Sequence, residues 1–394
     1  MVPRSSRTTH RLSKRTSNKG KSAHSKKGSD YASRSRKSPS SSLENIQGQN
    51  SQGKFSEKVK TFINNSRRSS TRKVYDARLQ VYKSWCNSRK LDPHKASEGD
   101  LAEFFVYLHE KRNCKAITIA GYRSAIASVH SGWSNCSVSN NSNLSKVIKG
   151  IFNSSPLVRP LLPNWDLPSV LWTLCDHPFE PISSCDLKFL TWKTVFLLAL
   201  SSASRVSELQ ALSIGEGHMR IEHNGIRLLP NLQFLAKTQR MQKPWNPIFI
   251  PEFNSFATDS RDLLLCPCRA LKMYVQRTKD IRHQEMCLFL TYQSGLHRKA
   301  SKNSISRWIV SLIKHAYEIR GENLTNVRAH DTRRLSTSWA LFNGASVSDI
   351  LQAAHWSTES TFTSFYMRDV PQGEARFART SVLDTVRWAR ENRK

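Results

Sequence analysis

The chain has 394 residues, enough for two ordinary domains and a tail, and its 38% apolar content is low for a protein folded from end to end. A formal net charge of +31 resists compaction unless a polyanion meets it, so nucleic acid is the leading expected partner. An anionic membrane surface is the weaker reading: no lipidation motif is visible, basic residues run along the whole chain, and the longest apolar run, 195–200, cannot span a bilayer.

Residues 1–53 carry twelve Lys or Arg against Asp30 and Glu44, with almost no large apolar side chain. Such a segment buries too little to offset its ordering entropy, so a disordered basic tail is expected, serving phosphate contact, nuclear import or simply solvation. No apolar stretch near Met1 has the form of a secretory signal. A helical module is expected over 54–155. Val59, Phe62 and Ile63, then Val74, Leu79, Tyr82 and Trp85, recur at three- and four-residue spacing. Asp100 is placed to cap a helix over 101–112 with the stripe Leu101, Phe104, Phe105 and Leu108. A fourth helix runs from about 118 through Tyr122, Ile126 and Val129, and a short basic fifth covers 144–152. Pro156, Pro160, Pro163 and Pro168 mark a linker over 156–168.

The second domain, 169–394, opens with helical segments near 168–176 and 184–202. The period then shifts towards two: 219–221 and 226–228 flank the turn signal Asn224-Gly225, and 233–237 and 247–251 read as further strands. From Arg269 the pattern is helical again, closing with a helix over 375–390 whose apolar side is Phe377, Val382, Val386 and Trp388. The expected fold class is mainly α: a helical N-terminal module, then a mostly helical domain with a small antiparallel sheet inserted after its second helix. The eight Cys are scattered, and Cys266-Pro-Cys268 has no matching half for a zinc site, so they read as reduced thiols of an intracellular protein.

Three clusters carry chemistry. In Ser204-Arg205-Val206-Ser207-Glu208-Leu209 an Arg follows the apolar run 195–200. A guanidinium leaving a buried helix needs an anion, supplied either internally by Glu208 or by an incoming phosphate. His330 and Arg333, three apart, share a helix face and place a donor fork beside a group that exchanges protons near neutral pH. Ala354-His355-Trp356-Ser357 then precedes Phe365-Tyr366-Met367-Arg368. A Tyr hydroxyl, with a pKa of roughly 10, is a poor nucleophile without cationic company. Taken singly, each cluster has an ordinary explanation as an internal ion pair, a surface pair or a core aromatic.

In this order the clusters resemble the tyrosine recombinase (phage integrase) family, over roughly residues 55–394. The family's pattern of an Arg in R-x-S-E-L, a Lys on a β-hairpin, H-x-x-R, a His or Trp, and a Tyr falls on Arg205, Lys237, His330, Arg333, Trp356 or His355, and Tyr366. Ser70-Thr71-Arg72-Lys73-Val74-Tyr75 and Thr118-Ile119-Ala120-Gly121-Tyr122-Arg123 are similar to the family's SAM-like DNA-clamping domain. Candidate DNA contacts are therefore Arg72, Lys73 and Arg123, with Lys146 and Lys149 of the basic fifth helix. Ala236-Lys237-Thr238-Gln239, Leu265-Cys266-Pro267-Cys268-Arg269-Ala270-Leu271 and Phe365-Tyr366-Met367-Arg368 look most like DIRS/Ngaro-type retroelement recombinases.

The resemblance implies site-specific recombination or integration for a mobile element, by transesterification at a DNA phosphodiester in the nucleus. Tyr366 would attack phosphorus to form a 3′-phosphotyrosyl link and free a 5′-hydroxyl, with no nucleotide cofactor and no metal. Arg205 and Arg333 would clamp the non-bridging oxygens, His330 would assist proton movement at the Tyr, and Lys237 would protonate the departing oxygen. A homo-oligomer, a tetramer on paired sites, is implied as well. No acidic run suggests a Mg²⁺ site, which speaks against a two-metal nuclease.

The sequence departs from the family pattern in places. Ala203-Ser204 stands before the first Arg where the family has Gly and a hydrophobic residue; Ala fits if the position needs no positive φ. Tyr366 lies eleven residues after His355 and ten after Trp356, longer than the usual spacing. Trp356 gives the smaller discrepancy and carries an indole N–H, His355 is the more usual residue type, and both stay candidates. Lys243 is the alternative to Lys237. Two other functions compete: a catalytically silent DNA-binding descendant, disfavoured by the intact Arg205, Arg333 and Tyr366, and a type IB topoisomerase-like enzyme, disfavoured by the separate helical clamp.

Overall fold

A computed structural model describes residues 55–156, 163–237, 239, 245–293 and 297–368. The tail over 1–53, Lys243 and the helix expected over 375–390 lie outside the described residues. The chain divides into two compact units, Met1–Leu157 and Val158–Lys394.

The first unit is helical: α1 (Glu57–Asn65), α2 (Ser69–Ser88), α3 (Glu98–Glu110), α4 (Ala116–Ile126) and α5 (Ser142–Ser154). Its core joins Leu79, Tyr82 and Trp85 of α2 to Leu101, Phe104, Phe105 and Leu108 of α3, and to Ile119 and Ile126 of α4. Phe104 sits at the centre, its ring 5.1 Å from Tyr82, 5.2 Å from Trp85 and 5.9 Å from Tyr122, distances typical of favourable aromatic pairs. The apolar stripe expected from residue 59 onward is only partly core: Val59, Phe62, Ile63 and Val74 are exposed. Spacing sets which residues share a helix face; it does not say whether another element covers that face. The cap of α3 lies one turn earlier than expected. Ser97 Oγ accepts the Asp100 N–H at 3.1 Å, and the Asp100 carboxylate accepts the Ser97 N–H at 2.9 Å, so Asp100 is the third helical residue of a reciprocal capping box.

The second unit begins with α6 (Leu167–Thr173), α7 (Leu187–Ser201) and the short α8 (Val206–Ala211). Helix α7 is buried on all sides from Leu190 to Ala199, with its few polar side chains bonded internally. It packs against α10 (Pro267–Arg277), α11 (Lys302–Glu318) and α12 (His330–Phe342). Lys193, inside that run, pairs with Glu180, whose carboxylate also takes both forks of Arg269 at 2.7 and 3.0 Å. The expected linker over 156–168 belongs in part to this unit: Trp165 and Leu167 are buried in its core, and the Asp166 N–H donates to Tyr317 Oη at 2.7 Å.

The sheet follows α8, so it comes after the unit's third helix. Its order is β1 (Met219–Glu222), β2 (Gly225–Leu228), β3 (Ile248–Pro251), all antiparallel. Glu222 pairs with Gly225, so the two-residue turn is His223-Asn224, not Asn224-Gly225. Gly225 is required for a different reason: a Cβ there would lie 2.3 Å from the Ile250 carbonyl oxygen of β3. The expected strand over 233–237 does not form. That stretch places Phe234, Leu235 and Ala236 in a row, but Leu235 stays exposed and the Gln233 N–H bonds to the Asn231 side chain, so the segment is a turn-rich connection between β2 and β3. Beyond the sheet come α9 (Ser260–Leu264), α10, α11, α12, α13 (Val347–Ala353) and α14 (Glu359–Phe365). The eight Cys are free, and no described helix is long and apolar enough to cross a membrane.

Candidate active site

Helix α7 ends at Ser201, and the chain reverses through Ala203 at φ +46° before entering α8 with Arg205 as its N-cap. This position does need a left-handed conformation, contrary to the condition under which Ala was expected to fit. An L-residue there carries roughly 1–2 kcal/mol of steric cost, which the surrounding contacts must offset. One of those contacts is the Ala203 carbonyl, which accepts a hydrogen bond from Arg333 Nη1.

Glu208, three residues into α8 and 1% exposed, organises the charges. Its carboxylate accepts the Arg205 backbone N–H and the Arg205 guanidinium, both at 2.7 Å, and approaches Arg333 Nη1 at 3.4 Å. The internal pairing of Arg205 is therefore present, but one carboxylate serves two guanidiniums and one positive charge is left over. From the sequence Glu208 was legible only as a competitor for Arg205; the signal for its shared role is its three-residue spacing from Arg205, which fits a capping interaction.

Arg333, on α12, is 1% exposed. Its Nη2 donates to the Ala354 carbonyl, so one guanidinium ties the α7–α8 reversal to the end of α13. Its Cζ lies 4.8 Å from the Trp356 ring centroid and 5.4 Å from that of Tyr366. Burial, and then the Arg205 charge, push its pKa down to about 10, which leaves it a cation at neutral pH. His330 begins α12, and its ring stands 5.4 Å from Tyr366 at 65°. The residue keeps an exposed side, yet burial of the ring and then the cations of Arg334, Arg333 and Arg205 push its pKa down to about 4. The open edge moderates the burial contribution, but the three guanidiniums and the positive end of the helix all favour neutral imidazole.

Tyr366 closes α14, half-buried, with its ring 4.4 Å from Trp356. Two residues on, the Arg368 N–H donates to Ser338 Oγ at 2.8 Å, pinning the Tyr segment to the helix that carries His330 and Arg333. Arg205, His330, Arg333, Trp356 and Tyr366 are thus brought together around the small apolar cluster of Ala203, Ile350, Ala354, Trp356 and Phe362. Adjacent Trp356 and His355 face different neighbours. Trp356 is 4% exposed and packs between Phe362 and Tyr366, whereas His355, at φ +52°, stacks on Trp245 with centroids 4.2 Å apart. Lys237 is exposed in the β2–β3 connection, not on a strand, and is not among the side chains packed on Tyr366.

Arg333 Nε, Arg334 Nε and Trp356 Nε1 are buried and make no hydrogen bond to a described residue. All three are donors, so the site offers N–H groups and surplus positive charge to an anion. In the first unit, Lys73, Lys146 and Lys149 are exposed and Arg72 is half-buried. Arg123 differs: its guanidinium donates to the carbonyls of Val138, Ser139 and Asn141 and to Ser145 Oγ at 2.8–2.9 Å. Those donors hold the loop before α5 against α4, so the Arg123 guanidinium has a structural role of its own in the first unit. No group of three or more His, Cys, Asp or Glu suited to a metal occurs among the described residues.

No protein-family model matches the chain, and no curated protein matches it. Solved structures do. The XerH site-specific recombinase bound to a palindromic difH substrate, a post-cleavage complex, is similar at 13% identity and TM-score 0.51, over 79% of this chain and 78% of that one. The Tn1549 transposon integrase in complex with transposon right end DNA matches at 14% identity and TM-score 0.49, over 86% of this chain and 98% of that one. A lambda integrase dimer bound to a COC′ core site matches at 13% and 0.45, over 79% and 93%. At such identities the likeness is one of fold, and the chain has the fold of the tyrosine site-specific recombinases: a helical unit followed by a mainly α unit with a three-stranded antiparallel sheet.

Proposed function

We propose that this chain breaks and rejoins DNA as a site-specific tyrosine recombinase or integrase, with Tyr366 as nucleophile. The observation that carries the reading is the pair Arg205 and Arg333 sharing the single carboxylate of Glu208 beside the Tyr366 ring. A buried surplus of positive charge is costly without an anion, and a phosphodiester entering next to Tyr366 supplies one. In the reaction Tyr366 Oη bonds to phosphorus while the bond to the 5′ oxygen breaks, the electron pair leaving with that oxygen. Arg205 and Arg333 stabilise the charge that builds on the non-bridging oxygens. His330, neutral near pH 7, accepts a hydrogen bond from the phenol, and the arriving phosphate offsets the cations that hold its pKa low, making it a better proton acceptor when it is needed. Lys237 protonates the departing 5′ oxygen.

The substrate is double-stranded DNA, held through exposed lysines such as Lys73, Lys146 and Lys149. The XerH structure that shares this fold is itself a complex with its DNA substrate after cleavage. Work on paired sites in a nuclear mobile element, by a tetramer of this chain, completes the proposal. A pool of nicked duplexes of randomised sequence tests it: the full chain is incubated with the pool in EDTA, denatured in SDS, and the protein-linked DNA is recovered and sequenced. Covalent capture at a common sequence is expected. DNA binding without any capture would leave only the silent DNA-binding reading.

A further inference from the structure

We propose that Trp245 is a positioning residue: packed on His355 at the edge of the Tyr366 cluster, it holds Phe234 and, through it, the turn that carries Lys237. The inference rests on the recombinase reading above and adds to it the means by which an exposed Lys is held for its task. The connection leaves β2 at Leu228 and enters β3 at Ile248. Leu232 is 91% and Leu235 56% exposed, whereas Ala236, beside Lys237, is fully buried. Two rings of the connection meet each other and reach the site. Phe234 meets Trp245 edge-on at 6.1 Å, and the Trp245 ring lies 4.2 Å from His355 at 32°. Three residues after Phe234, Lys237 sits in a turn closed from both sides: the Gln239 N–H donates to the Ala236 carbonyl at 3.0 Å, and Gln239 Oε1 accepts the Ala236 N–H at 3.2 Å.

The other end of the contact is fixed to the site. The Ala354 carbonyl takes a hydrogen bond from Arg333, and Trp356 lies under Tyr366, so the residues on either side of His355 are both bound into the cluster. His355 itself takes a left-handed backbone, φ +52°, with its N–H on the Gln352 carbonyl at 3.1 Å. That conformation costs a non-Gly residue, and here it coincides with a ring stacked on Trp245 beside a Trp ring that packs the opposite way, into the cluster. The arrangement divides the labour between the two candidates for the sixth position. Trp356 supports Tyr366 and Arg333, while His355 carries the Lys connection through Trp245.

If Trp245 acts through Lys237, its loss must affect one event only: transfer of the Lys237 proton to the 5′ oxygen as the phosphorus–oxygen bond breaks. A substrate with sulfur in place of that bridging oxygen removes the need, because a thiolate leaves without a proton. The experiment compares wild type, Trp245→Leu, Trp245→Phe and Lys237→Ala in the full chain, measuring single-turnover covalent-complex formation on nicked duplexes in oxygen and sulfur form. Trp245→Leu is expected to slow the oxygen substrate by at least about tenfold, and the sulfur substrate by less than about twofold, the pattern of Lys237→Ala. Trp245→Phe, which keeps an aromatic face, is expected to stay near wild type on both. Equal slowing of both substrates by Trp245→Leu, or no slowing of either, overturns the inference while Lys237→Ala still shows the sulfur-specific rescue that upholds the recombinase reading. Absence of that rescue in Lys237→Ala overturns the inference together with the role of Lys237. Wild type that forms no covalent complex on either substrate overturns the recombinase reading itself and the inference with it.

Discussion

Glu208→Gln isolates the electrostatics of the candidate site. The substitution keeps the side-chain shape and one acceptor oxygen but removes the single negative charge shared by Arg205 and Arg333. Glu208 and Arg333 are each 1% exposed and the Arg205 side chain 13%, so solvent cannot replace the lost carboxylate. Breaking a buried pair from one side costs about 3–5 kcal/mol, and the retained hydrogen-bond acceptor places the expected loss near the lower end, about 3 kcal/mol. With a urea dependence of roughly 2–3 kcal/mol per molar, the transition of the second unit should move down by about 1–1.5 M. Tryptophan fluorescence reports it, since Trp356 packs directly on the cluster. Sulfate should recover more stability in the variant than in wild type, because the variant holds two uncompensated guanidiniums where wild type holds one. A loss under about 0.5 kcal/mol, or the same sulfate response in both proteins, refutes the shared-carboxylate account.

His330 makes stability depend on pH with a definite sign. Its folded pKa of about 4 lies below the roughly 6.5 of the unfolded chain, so its contribution is full above pH 6.5 and is lost as pH falls from there through 4. Denaturation midpoints between pH 7.5 and 4 should flatten over that window in His330→Asn, and an unchanged slope would contradict the neutral imidazole. At Ala203, glycine relieves the left-handed strain but loses a buried methyl and loosens the unfolded chain, so Ala203→Gly should stay within about 1 kcal/mol of wild type. A β-branched residue in that conformation has no such offset, and thermal melts should show Ala203→Val destabilised by more than about 2 kcal/mol. Arg123→Ala should destabilise the first unit by about 2–3 kcal/mol through its lost carbonyl contacts. By contrast, Lys146→Ala and Lys149→Ala should leave melting unchanged, weaken DNA binding and lower the salt slope by about one each.

Much of the architecture was legible because it follows from sequence patterns: the aromatic stripe of α3, the apolar run 195–200 of α7, and the alternation that marks β1 and β2. What was not legible depends on a partner distant in sequence. Val59 and Phe62 have the spacing of a core stripe, but no pattern within α1 says whether another element covers it. Gly225 reads as a turn residue until β3 is seen passing 2.3 Å from where its Cβ would be. That Arg123 ties down the carbonyls of Val138, Ser139 and Asn141 is visible only once those carbonyls are placed around it. The candidate site divides in the same way. Arg205, His330, Arg333 and Tyr366 could be picked out by residue type and order. The double use of Glu208, the left-handed Ala203 and the opposite facing of His355 and Trp356 are properties of the folded chain alone.

The most direct measurement of the central claim is the identity of the amino acid joined to DNA. Covalent complexes trapped on nicked duplexes can be digested with protease and nuclease, and the nucleotide-bearing peptide sequenced by mass spectrometry. The account predicts a 3′-phosphate on the Tyr366 hydroxyl in wild type and no adduct in Tyr366→Phe. An adduct on another residue, or one that persists in Tyr366→Phe, would contradict it.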